Sequence, residues 1–152
     1  MNLKFLIIGL GSMGKRRIRN LYFNGERQII GYDIRRQRMA EAKAKYGIKI
    51  ISDLKKLAEK DFDAIIISTP PNQHGGYIRM ALKLKKHFFV EHPTSDDGYK
   101  EIFSNKNLPI VKAPSCTLRF YRPVKMIKDI LAKGKVGKIL AFQYHTGQYL
   151  PD

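Results

Sequence analysis

A short apolar run, Leu3 to Ile8 interrupted only by Lys4, passes directly into Gly9-Leu10-Gly11-Ser12-Met13-Gly14. This GxGxxG, set where strand-like sequence gives way to helix-like sequence, restricts the backbone more than any other feature of the chain. Gly9 permits a tight turn at the strand end, and Gly11 leaves the backbone bare to an approaching anion. Gly14 lets the new helix lie close against the strand it has just left. Ser12 and Met13 bring the first free N–H groups of that helix, whose amino end carries positive potential suited to a diphosphate. An ordinary glycine turn is the bland alternative, and the βαβ spacing around the motif argues against it.

Strand-like and helix-like segments alternate from there. A helix is expected over 12–24, with Met13, Ile18, Leu21 and Tyr22 facing inward and Gly25 at its stop. A strand over 28–32 ends at Asp33, a basic helix over 35–46 closes at Gly47, and a short strand follows over 48–51. Ser52 or Asp53 is expected to cap a helix reaching Lys60. Residues 63–68 read as a central strand, 72–86 as a helix and 87–91 as a strand. Residues 94–104 read as a helix with Asp96 and Asp97 in its first turn, and 109–113 as a last strand. The order predicts an α/β fold over residues 1–120, a Rossmann doubly wound parallel sheet with helices on both faces. Over 121–152 a connecting helix (122–132, ended by Gly134) and a strand (139–146) are expected, only the first strand of a C-terminal α/β domain.

The 152 residues suffice for one packed core but not for two complete domains. Hydrophobic residues at 43% and charged residues at 28% sit near the globular average and argue against a disordered or fibrous chain. The net charge of +16 is spread out, with 15 basic against 5 acidic residues over 1–60 and 14 against 8 over 61–152. Clusters such as Lys15-Arg16-Arg17, Arg35-Arg36 with Arg38, and Lys83 with Lys85-Lys86 read as solvated helix faces. They raise nonspecific attraction to nucleic acid at low salt, but no helix-turn-helix, zinc-finger, RNP or KH signature accompanies them, so no specific nucleic-acid partner is expected. The single cysteine, Cys116, has no partner for an intramolecular disulfide or a metal cluster, which fits a cytoplasmic setting without a metal site. No apolar run approaches the roughly 20 residues needed to span a bilayer, so no membrane partner is expected.

Three further segments fall at strand ends, on the edge where open α/β sheets bind ligands. Asp33 lies 19 residues past Gly14 and can accept hydrogen bonds from adenosine ribose hydroxyls, which favours NAD. Arg35 and Arg36 follow at once and can instead receive a 2′-phosphate, so NADP stays as the alternative beside a merely solvated helix start. Ser68-Thr69-Pro70-Pro71-Asn72-Gln73-His74 forms a proline-stiffened loop, which could also be a simple turn with Asn72 as a helix cap. Phe89-Val90-Glu91-His92-Pro93 ends the next strand.

With these motifs, and with Leu118-Arg119-Phe120, Pro123 and Gly134-Lys135-Val136-Gly137-Lys138 in the same order, the chain resembles the N-terminal part of the glucose–fructose oxidoreductase, inositol dehydrogenase and MocA (Gfo/Idh/MocA) oxidoreductase family. The resemblance runs over essentially the whole chain. It implies NAD(P)-dependent hydride transfer involving a sugar, polyol or nucleotide sugar. Gly9, Gly11, Ser12, Met13, Gly14, Asp33 and Arg35 would then lie on the cofactor, and Thr69, Pro70, Asn72 and His74 would border its nicotinamide half, with Glu91 holding the cofactor side. The family's Glu-Lys-Pro motif carries a catalytic lysine, and this sequence has His92 there. Histidine is shorter than lysine and titrates near neutrality. It can shuttle a proton within hydrogen-bond reach of a substrate hydroxyl, or merely pack.

Family members complete the site with a C-terminal domain, of which residues 137–152 resemble only the first strand and turn. The chain is therefore expected to be truncated and inactive by itself, meeting a small carbohydrate-like substrate only if the second domain is supplied. A non-catalytic nucleotide-binding or interaction module is the alternative, and a homo-oligomer is compatible with either reading. His87 and His145 read as ordinary sheet residues.

Overall fold

Leu6, Ile7 and Ile8 are all fully buried, yet Leu6 and Ile8 belong to one apolar cluster and Ile7 to another. Successive side chains of a strand point to opposite faces, so an unbroken apolar run is what a strand needs when both faces of its sheet are covered. In this computed structural model, which describes residues 3–92, 95–145 and 147, the same division recurs in Ile65 and Ile67 against Ile66, and in Ile30 against Ile29. Each fully buried side chain of this size contributes about 1.5–3 kcal/mol relative to an exposed one.

The strands are β1 (Lys4–Ile8), β2 (Gln28–Tyr32), β3 (Lys49–Ile50), β4 (Ala64–Ile67), β5 (His87–Val90) and β6 (Lys112–Pro114). They form one sheet in the order β3-β2-β1-β4-β5-β6, every pair parallel. The chain moves outward from β1 to β3 and then returns to the other side of β1, so the winding reverses between β1 and β4. Helices α1 (Ser12–Phe23) and α2 (Arg36–Tyr46) cover one face through Ile18, Met39 and Ala42. Helix α3 (His74–Lys83) covers the other through Ile78, Ala81 and Leu82, and α4 (Tyr99–Ser104) packs beside it. The fold is a doubly wound Rossmann sheet.

Residues Met1–Ser115 form one compact unit and Cys116–Asp152 another. The second unit contains α5 (Thr117–Phe120), which the sequence pattern does not predict, and α6 (Arg122–Ala132), which it does. Residues 139–145, expected as a strand, pair with no other strand among the described residues, and Thr146 lies outside them. A lone segment has no neighbour from which to draw the ladder hydrogen bonds that define a strand.

Other local expectations also shift. The helix expected up to Lys60 is two 3-10 turns, Leu54–Lys56 and Glu59–Asp61, although Asp53 does cap the first by accepting from the Lys55 N–H at 2.9 Å. The helix expected from Asn72 starts at His74 after a 3-10 turn over Pro71–Gln73, and Asn72 caps nothing. The helix expected from Thr94, itself outside the described residues, starts at Tyr99 because Gly98 takes a left-handed φ of 91°. Asp97 instead turns to Arg79 of α3 at 2.7 Å. Met13, expected on the inner side of α1, is exposed.

Candidate functional site

The carboxyl ends of β1, β2, β4 and β5 open onto one edge, where Gly9, Asp33, Ser68 and Glu91 begin the following loops. Open α/β sheets bind ligands outside this edge, at the point where the winding reverses. Gly9 adopts a φ of +91°, and a Cβ there would stand 2.4 Å from the Ser68 carbonyl oxygen. A Cβ on Gly14 would stand 1.9 Å from the Gly9 carbonyl oxygen. Both positions are therefore closed to any side chain by the fold itself. Gly11 differs, since its nearest neighbour would be the end of the flexible Arg38 side chain at 3.4 Å. The protein leaves that position open, as a backbone surface approached from outside requires. Gly11 caps α1 without a side-chain hydrogen bond, no acidic residue occupies the first turn, and Ser12 and Met13 are exposed beside it.

Asp33 is 4% exposed. Its Oδ2 accepts from the Leu10 N–H at 2.7 Å and its Oδ1 from the Arg35 N–H at 2.8 Å, while an Arg38 guanidinium nitrogen stands 3.7 Å from Oδ2. The carboxylate thus ties the glycine turn to the start of α2. Beside it lies a crevice of about 160 Å³, walled by Asp33, Arg35 and Arg38 on one side and by Ser68, Thr69, Pro70 and Tyr77 on the other. Burial pushes the Tyr77 phenol above its ordinary value, and Tyr32 and Asp33 push it the same way. Arg36, coupled with Arg35 in the sequence reading, does not line this crevice, whereas Arg38 does.

Three buried polar atoms on the loop after β4 and at the start of α3, Ser68 Oγ, Thr69 Oγ1 and His74 Nδ1, have no hydrogen-bond partner among the described residues. Buried polar groups are nearly always paired, so these three atoms fit a polar group supplied from outside the chain, water or ligand. His74, 1% exposed, is fixed by its Nε2 against the Thr69 carbonyl oxygen at 2.7 Å. Pro70 and Asn72 are exposed at the rim.

Glu91, 6% exposed, faces Arg17 of α1. Arg17 Nε donates to Oε1 and Nη2 to Oε2, the latter at 2.8 Å. Arg17 Nη2 also reaches Ser115 Oγ at 3.3 Å, and the guanidinium lies 4.6 Å from the centroid of the Phe89 ring. The Glu91 carboxylate is therefore committed to a protein cation. The sequence reading placed Arg17 on a solvated face with Lys15 and Arg16, but the spacing 14, 17, 18, 21 sets it on the inward stripe of α1 with Gly14, Ile18 and Leu21. That spacing was the available signal. His92 is exposed next to this pair, and Pro93 lies outside the described residues. His87, on β5, accepts at Nδ1 from the Val111 N–H at 2.9 Å.

The donor set suits a dinucleotide. It combines a bare helix amino end for a diphosphate, a carboxylate and two guanidiniums beside a crevice for a ribose, and partnerless polar atoms on the next loop. Among the described residues, no group of three or more histidine, cysteine, aspartate or glutamate side chains could hold a metal ion, and no helix is long and apolar enough to cross a membrane.

Residues 3–108 match the family model described as "Oxidoreductase family, NAD-binding Rossmann fold". Myo-inositol 2-dehydrogenase of Thermotoga maritima is 30% identical over 138 residues, 87% of this chain and 41% of that protein. An uncharacterized oxidoreductase of Bacillus subtilis is 30% identical over 137 residues, 86% of this chain and 40% of its own length. Among solved structures, a probable dehydrogenase from Thermotoga maritima superposes with a TM-score of 0.80 at 30% identity, covering 90% of this chain and 43% of that one. The WlbA dehydrogenase of Bordetella pertussis, in complex with NADH and UDP-GlcNAcA, shares the fold with a TM-score of 0.80 at 20% identity, over 90% of this chain and 41% of that one. The chain thus spans about two-fifths of the length of the curated relatives it matches.

Proposed function

Because the chain belongs to the oxidoreductase family that shares this NAD-binding Rossmann fold, we propose that it is the cofactor-holding part of an NAD(P)-dependent oxidoreductase acting on a sugar, polyol or nucleotide sugar. The observation that carries the reading is the contrast within one turn: Gly9 and Gly14 are demanded by the fold, whereas Gly11 is left open by it. A nicotinamide dinucleotide bound there would supply hydride exchange with a substrate carbon.

The chain's own residues divide the remaining work. Gly9, Gly11, Ser12, Met13 and Gly14 present backbone N–H groups and positive helix potential to the diphosphate. Asp33 and Arg35 receive the adenosine ribose. Thr69, Pro70, Asn72 and His74 border the nicotinamide half, where the partnerless Thr69 Oγ1 and His74 Nδ1 can pair with its polar groups. Glu91, held by Arg17, fixes the end of β5 and so sets where His92 stands, and His92 moves the proton that accompanies hydride transfer.

The substrate class is supported by the names of the relatives, an inositol dehydrogenase and a dehydrogenase solved with a nucleotide sugar. Positioning the substrate carbon in a water-poor pocket falls, in those relatives, to the part beyond the matched region, and the residues described above supply the cofactor wall. Exposed Phe120, Leu140 and Phe142 support burial against a further chain, including another copy in a homo-oligomer, and the exposed free thiol of Cys116 suits a reducing, cytoplasmic setting. The exposed His92 in place of lysine favours a second reading, a nucleotide-binding module without catalysis.

Calorimetric titration with NAD and NADP tests the proposal, using Gly11→Ala as the informative variant because its added methyl has room in the fold. Wild type is expected to bind, and Gly11→Ala to melt like wild type while losing affinity. Binding that ignores Gly11→Ala and vanishes with added salt would mean generic attraction to a basic surface. Turnover of any polyol by the 152-residue chain alone would overturn the division of labour.

A further inference from the structure

We propose that the amino-end edge of the sheet carries a second ligand site, a notch beside Lys4, Arg27 and Lys49 that takes a small organic polyanion, a di- or tricarboxylate or a phosphate ester. The notch lies at the far end of the strands from the glycine turn. The five residues of β1 separate the two edges by about 17 Å, so a small ligand in the notch touches nothing at the turn.

Strand register makes the notch. β2 pairs with β1 from Gln28 onward, but β3 joins β2 only from Ile30, opposite Lys49. The first residues of β2 therefore project past β3, and the left-handed turn at Gly47 leads the chain out of α2 and into β3 beside them. The space left measures about 380 Å³, more than twice the crevice beside Asp33 and within the size range of small-molecule sites. The buried Ile29 and Ile48 stand among its walls.

Its charge is one-sided. Lys4, which alone interrupts the apolar run opening the chain, lines the notch with Arg27 and Lys49. None of the three stands in an ion pair among the described residues, where the paired cations are Lys15, Arg17, Arg38 and Arg79. Neutral oxygens hold two of them instead. Lys4 Nζ donates to the Lys60 carbonyl oxygen at 3.1 Å, and Arg27 Nη1 to those of Tyr22 and Glu26 at 2.7 and 3.2 Å. A carbonyl oxygen fixes a cation without cancelling its charge. The Arg27 guanidinium is steadied further over the Tyr22 ring, 4.9 Å from its centroid, and its Nε and Nη2 keep no partner among the described residues. The one carboxylate of the wall, Asp61, turns Oδ2 to the Ala58 N–H at 2.9 Å.

A cleft with charge of one sign and apolar walls focuses its field and concentrates counter-ions. Two ammonium groups and a guanidinium suit two or more anionic groups on one body, and the isoleucines suit the carbon between them.

The test is an amide NMR titration of the isotope-labelled 152-residue protein with citrate at about 0.15 M salt. The amides of Gln28, Gly47, Ile48 and Lys49 are expected to shift saturably, with a Kd of about 1 mM or tighter, and uncharged glycerol is expected to shift none of them. Arg27→Gln and Lys49→Gln, both at exposed side chains, should each weaken citrate about fivefold or more, and Lys83→Gln, on an exposed face of α3, should change it less than about twofold. Shifts that do not saturate, that are confined to Gly11 and Ser12 at the other edge, or that Lys83→Gln weakens as much as Arg27→Gln does, overturn the proposal. Short single-stranded DNA that moves the notch amides at lower concentration than citrate also overturns it, in favour of nucleic acid.

Discussion

Removing Arg17 should cost this fold more than any other single arginine substitution. Glu91 is 6% exposed, and its carboxylate is met by two guanidinium donors, whereas the Arg17 side chain keeps 18% of its surface in solvent. Arg17→Met preserves the stem but leaves a buried carboxylate unpaired, a change that costs about 3–5 kcal/mol. The lost contact with the Phe89 ring adds roughly 0.5–2 kcal/mol. For a unit of this size, with a total stability of about 5–15 kcal/mol, a loss near 4 kcal/mol means a melting point roughly 10–20 °C lower.

Glu91→Leu should cost less, because the guanidinium left behind can turn toward water along its flexible stem. The double variant Arg17→Met with Glu91→Leu, in which neither charge remains, should return to within about 1–2 kcal/mol of wild type. Urea unfolding at neutral pH, followed by circular dichroism on all four proteins, measures the cycle. A coupling energy below about 1 kcal/mol, or strictly additive losses, would refute the claim that these side chains are held by each other.

Gly14→Ala should prevent folding or displace α1, since its methyl would sit 1.9 Å from the Gly9 carbonyl oxygen; a cooperative thermal melt equal to that of Gly11→Ala would contradict this. Asp97 is held below the usual carboxylate range by its hydrogen bond to Arg79, so the stability it brings is present above its unfolded value and lost as pH falls through the folded one. Melts of Asp97→Asn and wild type should therefore differ at neutral pH and converge in acid, and a gap independent of pH would exclude the pairing as its source.

The core was legible because its rule is local. Leu6 to Ile8 and Ile65 to Ile67 are too apolar for a strand with a wet face, and the βα alternation left few ways to arrange them. The glycine turn was legible for the same reason, as was the position of Asp33 at the end of β2. What Asp33 touches was not legible, because Leu10, 23 residues away in the chain, becomes its partner only once β1 and β2 lie side by side. Arg17 stands in a run of basic residues that reads as solvated, yet it lies on the inward stripe of α1, and its partner lies 74 residues away. Asp97 followed the rule for helix starts until the left-handed Gly98 delayed the helix and α3 offered a cation at closer range. The strand expected near Ile139 had the right alternation but no neighbour among the described residues, and alternation alone forms no ladder.

The sheet is also trimmed at both margins. β3 is two residues long, and β6, three residues long, finishes on Pro114, which has no N–H to offer. A foreign strand seeking to extend the sheet would find little unpaired backbone to bond with at either side. Short margins of this kind limit edge-to-edge pairing, which matters most for a sheet with so apolar a middle, Ile65 to Ile67 at its centre.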